Sequence, residues 1–213
     1  MLLVNESKDI WDYNQPDFYH FSDDSVWLAK TVSQILKNED TYDFKALDLC
    51  SGCGVVGMEI VLALSQSLHF DFIELQSAFG KYFDLNVKLL GLLGANLKLI
   101  NQDFRKLYNN EKLYNVYDLV VSNPPYFEVG KHRLSTNTEK NICRFFKEGS
   151  FAEFIQSVMW VTKKGGRVFF LSRGFEANQV IFIASQLKIQ IKLEILEKKS
   201  DTFLVLMLVG DKN

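Results

Sequence analysis

Cysteine, proline and histidine are scarce in this chain, three of each in 213 residues. The cysteines, Cys50, Cys53 and Cys143, are too sparse, and odd in number, for a disulfide scaffold. Cys50 and Cys53 form a C-x-x-C, a spacing open to redox or metal chemistry. A metal site would need more Cys or His at suitable spacing, and His20, His69 and His132 do not supply it, so no metal is expected. Long apolar runs are missing too, since none approaches the roughly 18 uninterrupted residues of a membrane span. The N-terminus, MLLVNESKDIWDYN, carries acidic residues and no extended apolar core, so it is not a secretory signal. A cytoplasmic location and no membrane partner are expected. Nor is there an excess of positive charge: the formal net charge is −2, and any nucleic-acid contact must come from a local patch. Repeats and low-complexity tracts are absent.

What is present is the composition of a globular protein, 47% hydrophobic and 23% charged. The length suits one α/β domain with a single large core, here a helical segment over residues 1–40 followed by a core over 44–213. A monomer is expected. Ser22 followed by Asp23 and Asp24 predicts a helix start with carboxylates at the positive end of the dipole, and Val26, Ala29, Val32, Ile35 and Leu36 share one face as far as about residue 37. Apolar runs then predict strands over 44–50, 70–73, 97–102, 116–121 and 167–172. Helices are expected from near Val55, over about 78–90 and over about 176–187. Another should run from a capping box of Ser150 and Glu153 to about residue 163, where Gly165 and Gly166 stop it. The runs 189–196 and 203–209, joined by EKKSDT, predict a closing antiparallel hairpin.

The fourth strand ends in Asn123-Pro124-Pro125-Tyr126. Two prolines cannot continue a central strand, and the first restricts Asn123 to an extended conformation, so Asn123 is presented at the carboxyl end, where open α/β sheets bind ligands. Asn123 supplies a side-chain carbonyl, Pro124 a main-chain carbonyl and Tyr126 a flat amphipathic ring. That set suits a planar substrate bearing an amino group. Each carbonyl can accept one N–H, localising the amine lone pair and aiming it at an electrophile, which is catalysis by orientation and needs no strong base. An Asn-Pro turn after a strand would use the same residues.

The first strand runs into DLCSGCG. Gly52 and Gly54 permit a tight turn with positive φ, and the following helix points its free N–H groups at the same place. Asp48 precedes them. Gly57 is out of phase with the dinucleotide fingerprint, which weakens a pyrophosphate reading. Glu74 ends the second strand, twenty residues after Gly54, where a carboxylate accepts from ribose hydroxyls in nucleoside-binding folds. A ribose acid without a pyrophosphate cradle suggests a single-nucleoside cofactor. Asp103, after the third strand, suits an adenine amino group or an exposed loop equally. Residues 127–149 predict a loop without apolar period, with Lys131, His132, Arg133, Lys140, Arg144 and Lys147 against Glu128, Glu139 and Glu148. Cations for phosphates with Phe145 and Phe146 for splayed bases suit RNA, and a solvated mixed-charge loop would look similar.

Together these motifs resemble the class I, Rossmann-like S-adenosylmethionine-dependent methyltransferases that act on amino groups. Within that class the chain is similar to the bacterial tRNA1(Val) adenine-N6 methyltransferases, from about Gln15 to Arg173. The resemblance implies a seven-stranded, mostly parallel sheet with helices on both faces and S-adenosylmethionine as cofactor. It implies a cofactor site of Asp48, Cys50, Gly52, Gly54, Glu74, Asp103 and Asn123. The family's N-terminal segment is matched by Gln15, Tyr19, His20, Phe21, Ser22, Asp24, Leu28 and Ala29, of which Tyr19 and Asp24 are implied in cofactor binding. Asn123, Pro124, Pro125 and Tyr126 are implied as catalytic. Tyr126, Phe127, Lys131, Arg133, Lys140 and Arg144 are implied in binding the anticodon loop of a tRNA. The sequence departs from the family at His20, in place of an Arg, and at Cys50 and Cys53, in place of small residues. The motif at 123–126 is shared with protein-glutamine N5 methyltransferases of release factors, which carry an additional N-terminal helical domain, and with ribosomal guanine-N2 and DNA adenine methyltransferases. A non-catalytic cofactor- or RNA-binding protein is a further alternative.

Overall fold

The computed structural model describes residues 13–37, 39, 44–64, 68–127, 133–146 and 150–212. Strands β1 (Lys45–Leu49), β2 (His69–Glu74), β3 (Leu97–Asn101), β4 (Tyr117–Ser122), β5 (Thr162–Arg173), β6 (Ile189–Lys199) and β7 (Thr202–Lys212) form one sheet in the order β3-β2-β1-β4-β5-β7-β6. The pairs β2–β3, β1–β2, β1–β4 and β4–β5 are parallel, while β7 runs antiparallel between β5 and β6. The hairpin expected at the end of the chain therefore closes the sheet.

Side-chain alternation along the strands splits the core into two layers. Ala46, Phe70, Phe72, Leu119, Val121, Phe169 and Leu171 face α1 (Asp23–Leu36), α2 (Val55–Leu64) and α3 (Gly80–Leu89). Leu47, Leu49, Val120, Val168 and Phe170 face α5 (Phe151–Val161) and α6 (Ala177–Gln186). Strands apolar on both faces belong inside a parallel sheet, and helices cover both faces here. Asp48, between Leu47 and Leu49, is turned by the same alternation toward α2 and is fully buried.

Three expectations need correction. The segment 127–149 holds α4 (Thr138–Arg144), two turns long and too short to show an apolar period. It is fixed by Asn137, which accepts from the Lys140 N–H at 2.9 Å, and by Asn141, whose amide accepts from Ser135 N and donates to Ser135 O, each at 2.8 Å. Gly165 and Gly166 do not stop α5, which ends at Val161. The Thr162 hydroxyl donates to Val158 O, and β5 starts there. The glycines form an irregularity inside β5, where the pairing with β4 jumps from Tyr117–Thr162 to Leu119–Arg167. Gly165 is at φ +79°, and a Cβ on Gly166 would lie 2.9 Å from Lys163 O. The third helix is preceded by a 3-10 turn over Ser77–Phe79 and becomes α-helical only at Gly80.

Candidate active site

Four strands end at one edge of the sheet, and the segments that leave β1, β2, β3 and β4 line a cavity. Cys50, Gly52, Glu74, Gln76, Gln102 and Asn123 supply polar atoms to its wall, and Tyr19 and Phe79 supply rings. An adjoining lobe reaches inward to Asp48, Ser51 and Ser25, and shares Tyr19, Cys50, Gly52, Phe79 and Asn123 with the first.

The glycine loop turns through left-handed backbone at Cys50 (φ 60°), Gly52 (φ 54°) and Gly54 (φ 87°). At Gly54 a Cβ would stand 2.8 Å from the Phe83 ring, so the close approach as well as the φ requires glycine. Gly54 lines neither lobe; it opens α2, its carbonyl accepting from Met58 N at 3.0 Å. Glu74 holds this loop against the end of β2: its carboxylate accepts from Gly52 N at 2.9 Å and from Gln76 N at 2.8 Å. Burial raises the Glu74 carboxyl above its ordinary range, and these main-chain donors oppose the shift. Asp48 accepts from Gly57 N at 2.9 Å through Oδ2, while Oδ1 has no partner. Burial pushes this carboxyl up to about 8; the Gly57 bond opposes the shift and the charge of Glu74 adds to it. The Ser51 hydroxyl is likewise buried without a partner. Two orphaned buried polar groups beside a cavity fit a bound molecule that brings its own polar atoms, since a buried polar group costs stability until it is paired.

Asp103 lies elsewhere. Its carboxylate accepts from Arg105 N at 2.9 Å and from Arg105 Nε at 2.8 Å, and makes a further ion pair with the same guanidinium. Burial would raise its pKa, but Arg105 holds it below the ordinary value. Its neighbours Gln102 and Phe104 line the cavity instead. Cys50 lines the cavity and Cys53 the inner lobe. Burial raises the Cys50 thiol well above its ordinary value and pushes Cys53 up to about 12, which leaves both as poor nucleophiles. Among the described residues no group of three or more His, Cys, Asp and Glu could hold a metal ion.

Asn123 touches both lobes. Its Nδ2 donates to Ser25 Oγ at 2.9 Å, and its Oδ1 accepts from the Tyr126 hydroxyl. Burial and the nearby charge of Asp24 raise the Tyr126 phenol, so it stays a donor. Burial pushes Tyr19 up to about 12. Asp24 itself lines neither lobe and acts on both phenols only through space. Ser25 was not a sequence candidate. Only its place in the first turn of α1, packed against the end of β4, gives it a role.

The expected RNA loop is rearranged. Phe145 and Phe146 are buried and line the cavity, so they are walls and not exposed platforms. Main-chain bonds from Tyr126 N and Phe127 N to Arg144 O and from Phe146 N to Phe127 O dock α4 on the segment after β4. Arg144 stands over the Phe127 ring at 5.6 Å. Arg133 and Lys140 are exposed and line no part of the cavity. Lys131, His132, Lys147, Glu128 and Glu148 lie outside the described residues. Arg173, which ends β5, stands 5.0 Å over the Tyr126 ring. The rule that ligands gather at strand carboxyl ends would have picked it out.

A family model described as conserved hypothetical protein 95 matches residues 28–151. The tRNA1(Val) (adenine(37)-N6)-methyltransferase of Aliivibrio fischeri (strain MJ11) is 28% identical over 166 residues, which is 76% of this chain and 68% of that protein. Among solved structures, an Agrobacterium tumefaciens protein described as an O-methyltransferase is 16% identical, with a TM-score of 0.61 over 88% of this chain and 81% of that one. The Escherichia coli protein yhhF, described as a methyltransferase, is 15% identical, with a TM-score of 0.62 over 93% and 91%. Likeness at these identities speaks to the fold.

Proposed function

The chain belongs to the family described as conserved hypothetical protein 95 and has the class I S-adenosylmethionine-dependent methyltransferase fold, and from that premise we propose that it methylates an exocyclic amino nitrogen. The acceptor we propose is N6 of an adenosine in the anticodon loop of a tRNA, methylated in the cytoplasm by a single-domain monomer. The observation that carries the reading is the position of Asn123, which lines the cavity at the end of β4 and whose side-chain carbonyl accepts from the Tyr126 hydroxyl.

S-adenosylmethionine supplies an electrophilic methyl group on a sulfonium. Glu74 is the group to receive ribose hydroxyls, since each of its oxygens has one main-chain donor and keeps acceptor capacity. Asp48 Oδ1 and Ser51 Oγ, both without partners, are the groups to meet the polar end of the cofactor. Gln102 and Phe104 are placed to meet a base edge and face. On the acceptor side, Asn123 Oδ1 takes one N–H of the amine through its second lone pair, and the Pro124 carbonyl takes the other. Both hydrogens are then held away from the methyl donor, and the nitrogen lone pair is left toward it. The Tyr126 ring backs the plane of the base. No side chain has to remove a proton before transfer: as the N–C bond forms and the sulfonium C–S bond breaks, the amine becomes cationic and then releases one N–H proton to solvent, which agrees with a site where Glu74 and Asp48 are held by main-chain donors.

The relative from Aliivibrio fischeri, named for adenine-N6 methylation of a tRNA, supports adenosine as the acceptor. A glutamine amide is the competing acceptor, because it too carries an –NH2 on a planar carbonyl system. The two are separated by incubating the protein with labelled S-adenosylmethionine and, in separate reactions, unmodified bulk tRNA, ribosomal RNA, DNA and a release factor. Label recovered as N6-methyladenosine from tRNA is expected. Label recovered only as N5-methylglutamine would overturn the reading.

A further inference from the structure

A second cleft, with about 1290 Å³ of open space, adjoins the cofactor cavity, and the two share Pro125 and Phe146 as a common wall. Its sides come from four places in the fold: Tyr126 and Phe127 after β4, Phe151 of α5, Arg173 to Glu176 between β5 and α6, and Asp201 at the tip of the β6–β7 hairpin. Pro124, Pro125 and Tyr126 of the motif at 123–126 form one side of this cleft, while Phe151, Phe175, Glu176 and Asp201 were not sequence candidates.

In its lining and just outside it one arrangement recurs, a cation seated on an aromatic ring; Arg173 is the cation of the lining, and Arg144 and Lys198 lie outside it. The Arg173 guanidinium lies 5.0 Å from the Tyr126 ring centre and 5.5 Å from that of Phe127. Arg144 lies 5.6 Å from Phe127. Lys198, on the hairpin, lies 4.8 Å over Phe203, whose ring is 6.4 Å from Phe175. Rings that offer a π-face next to cations that reach phosphates are the two parts of a single-strand binding groove. Two carboxylates, Glu176 and Asp201, share the lining with Arg173, so a phosphate contact must come from a cation beside it, such as Lys198. Asp201 stands 3.8 Å from Arg173 and steadies it as a planar stacking group, and Glu176 is an exposed acceptor suited to the amino edge of a base.

We propose that this cleft binds the unpaired nucleotides that flank the methylated base, with Phe175 as a stacking platform and Lys198 as a phosphate contact on the hairpin. The inference rests on the reading above that the acceptor is a nucleobase. A target amine held at Asn123 places its neighbours along the strand at Pro125 and Tyr126, which form the near wall of the cleft.

The test uses a fluorescein-labelled single-stranded RNA heptamer with one central adenosine, titrated with the whole protein in the presence of S-adenosylhomocysteine. Phe175→Ala should raise the RNA Kd about tenfold or more, the loss of one base stack, while Phe175→Trp should keep binding near that of the native protein. Lys198→Ala should flatten the slope of log K against log salt by about 0.7, one phosphate contact to a single strand. Unchanged affinity for S-adenosylhomocysteine shows that each variant is folded. If the native protein methylates the heptamer and all three variants bind it with the native Kd and salt slope, the cleft assignment is wrong and the acceptor reading stands. If the native protein neither binds nor methylates RNA and labels only protein, the acceptor reading fails and the cleft assignment falls with it.

Discussion

Asp48 holds a proton that the unfolded chain would release. Its carboxyl is fully buried and is pushed up to about 8 against an ordinary value of 3.8, so the folded state retains the proton between those limits. A folded-state pKa above the unfolded one means that the stability from this group is complete below about pH 4 and is lost as pH rises through 8. Urea unfolding at intervals from pH 5 to 8.5 should therefore show falling stability, and Asp48→Asn should flatten that fall. A parallel decline in the variant would mean that another group is responsible. At the acceptor end, Ser25→Ala removes the hydroxyl that receives the Asn123 amide N–H. We expect kcat to fall about tenfold, on the order of one hydrogen bond's net worth, with KM and cofactor affinity nearly unchanged and with recovery in Ser25→Thr. An unchanged kcat would remove Ser25 from the positioning of Asn123. Residues of the motif at 123–126, Glu74 and the glycine loop could be picked out from sequence because turn chemistry and strand-end placement are local. Arg173, at the end of β5, was open to the same rule, whereas Ser25 was not, since its position depends on which elements pack side by side.

Between elements, Gly57 shows how helix and sheet are brought into register. Its N–H caps Asp48, and α2 lies so close to β2 that a Cβ here would stand 2.5 Å from a Phe72 ring carbon. Out of phase with a nucleotide fingerprint, this glycine serves packing. Gly57→Ala should gain about 1 kcal/mol of helix propensity but lose about 1–3 kcal/mol to overpacking in a core that cannot open. A net loss of stability is expected, seen as a lower urea midpoint; a raised midpoint would mean that Phe72 can yield. The strands and long helices were legible because their apolar runs are long enough to carry a period. The exceptions, α4 and the glycine irregularity in β5, are fixed by side-chain amides and by one positive φ, which leave no periodic trace in the sequence.

Over the whole molecule, the switch in strand order at β1, with β2 on one side and β4 on the other, opens the cavity where open α/β sheets bind ligands. Helix α1 links that cavity to the β6 edge of the sheet. Ser25 reaches Asn123, while Trp27 donates to Glu197 at 2.7 Å, Thr31 donates to the same carboxylate at 3.2 Å, and Lys199 stands 4.3 Å over the Trp27 ring. Glu197→Ala should lower the melting temperature by about 2–4 °C and reduce turnover more than cofactor binding, because the helix that carries Ser25 loses its anchor on the hairpin. A variant with full turnover would show that α1 is held well enough by its apolar face. In the proposed reaction Asn123 acts on the acceptor amine and not on the cofactor. The most direct test of that role is the turnover of Asn123→Ala at saturating S-adenosylmethionine, measured beside the affinity of the same variant for S-adenosylhomocysteine. Its kcat should fall about 10²–10³, the scale of losing one preorganised polar group at a reacting centre, with cofactor affinity nearly unchanged. Native turnover, or turnover lost only in step with cofactor affinity, would contradict that role.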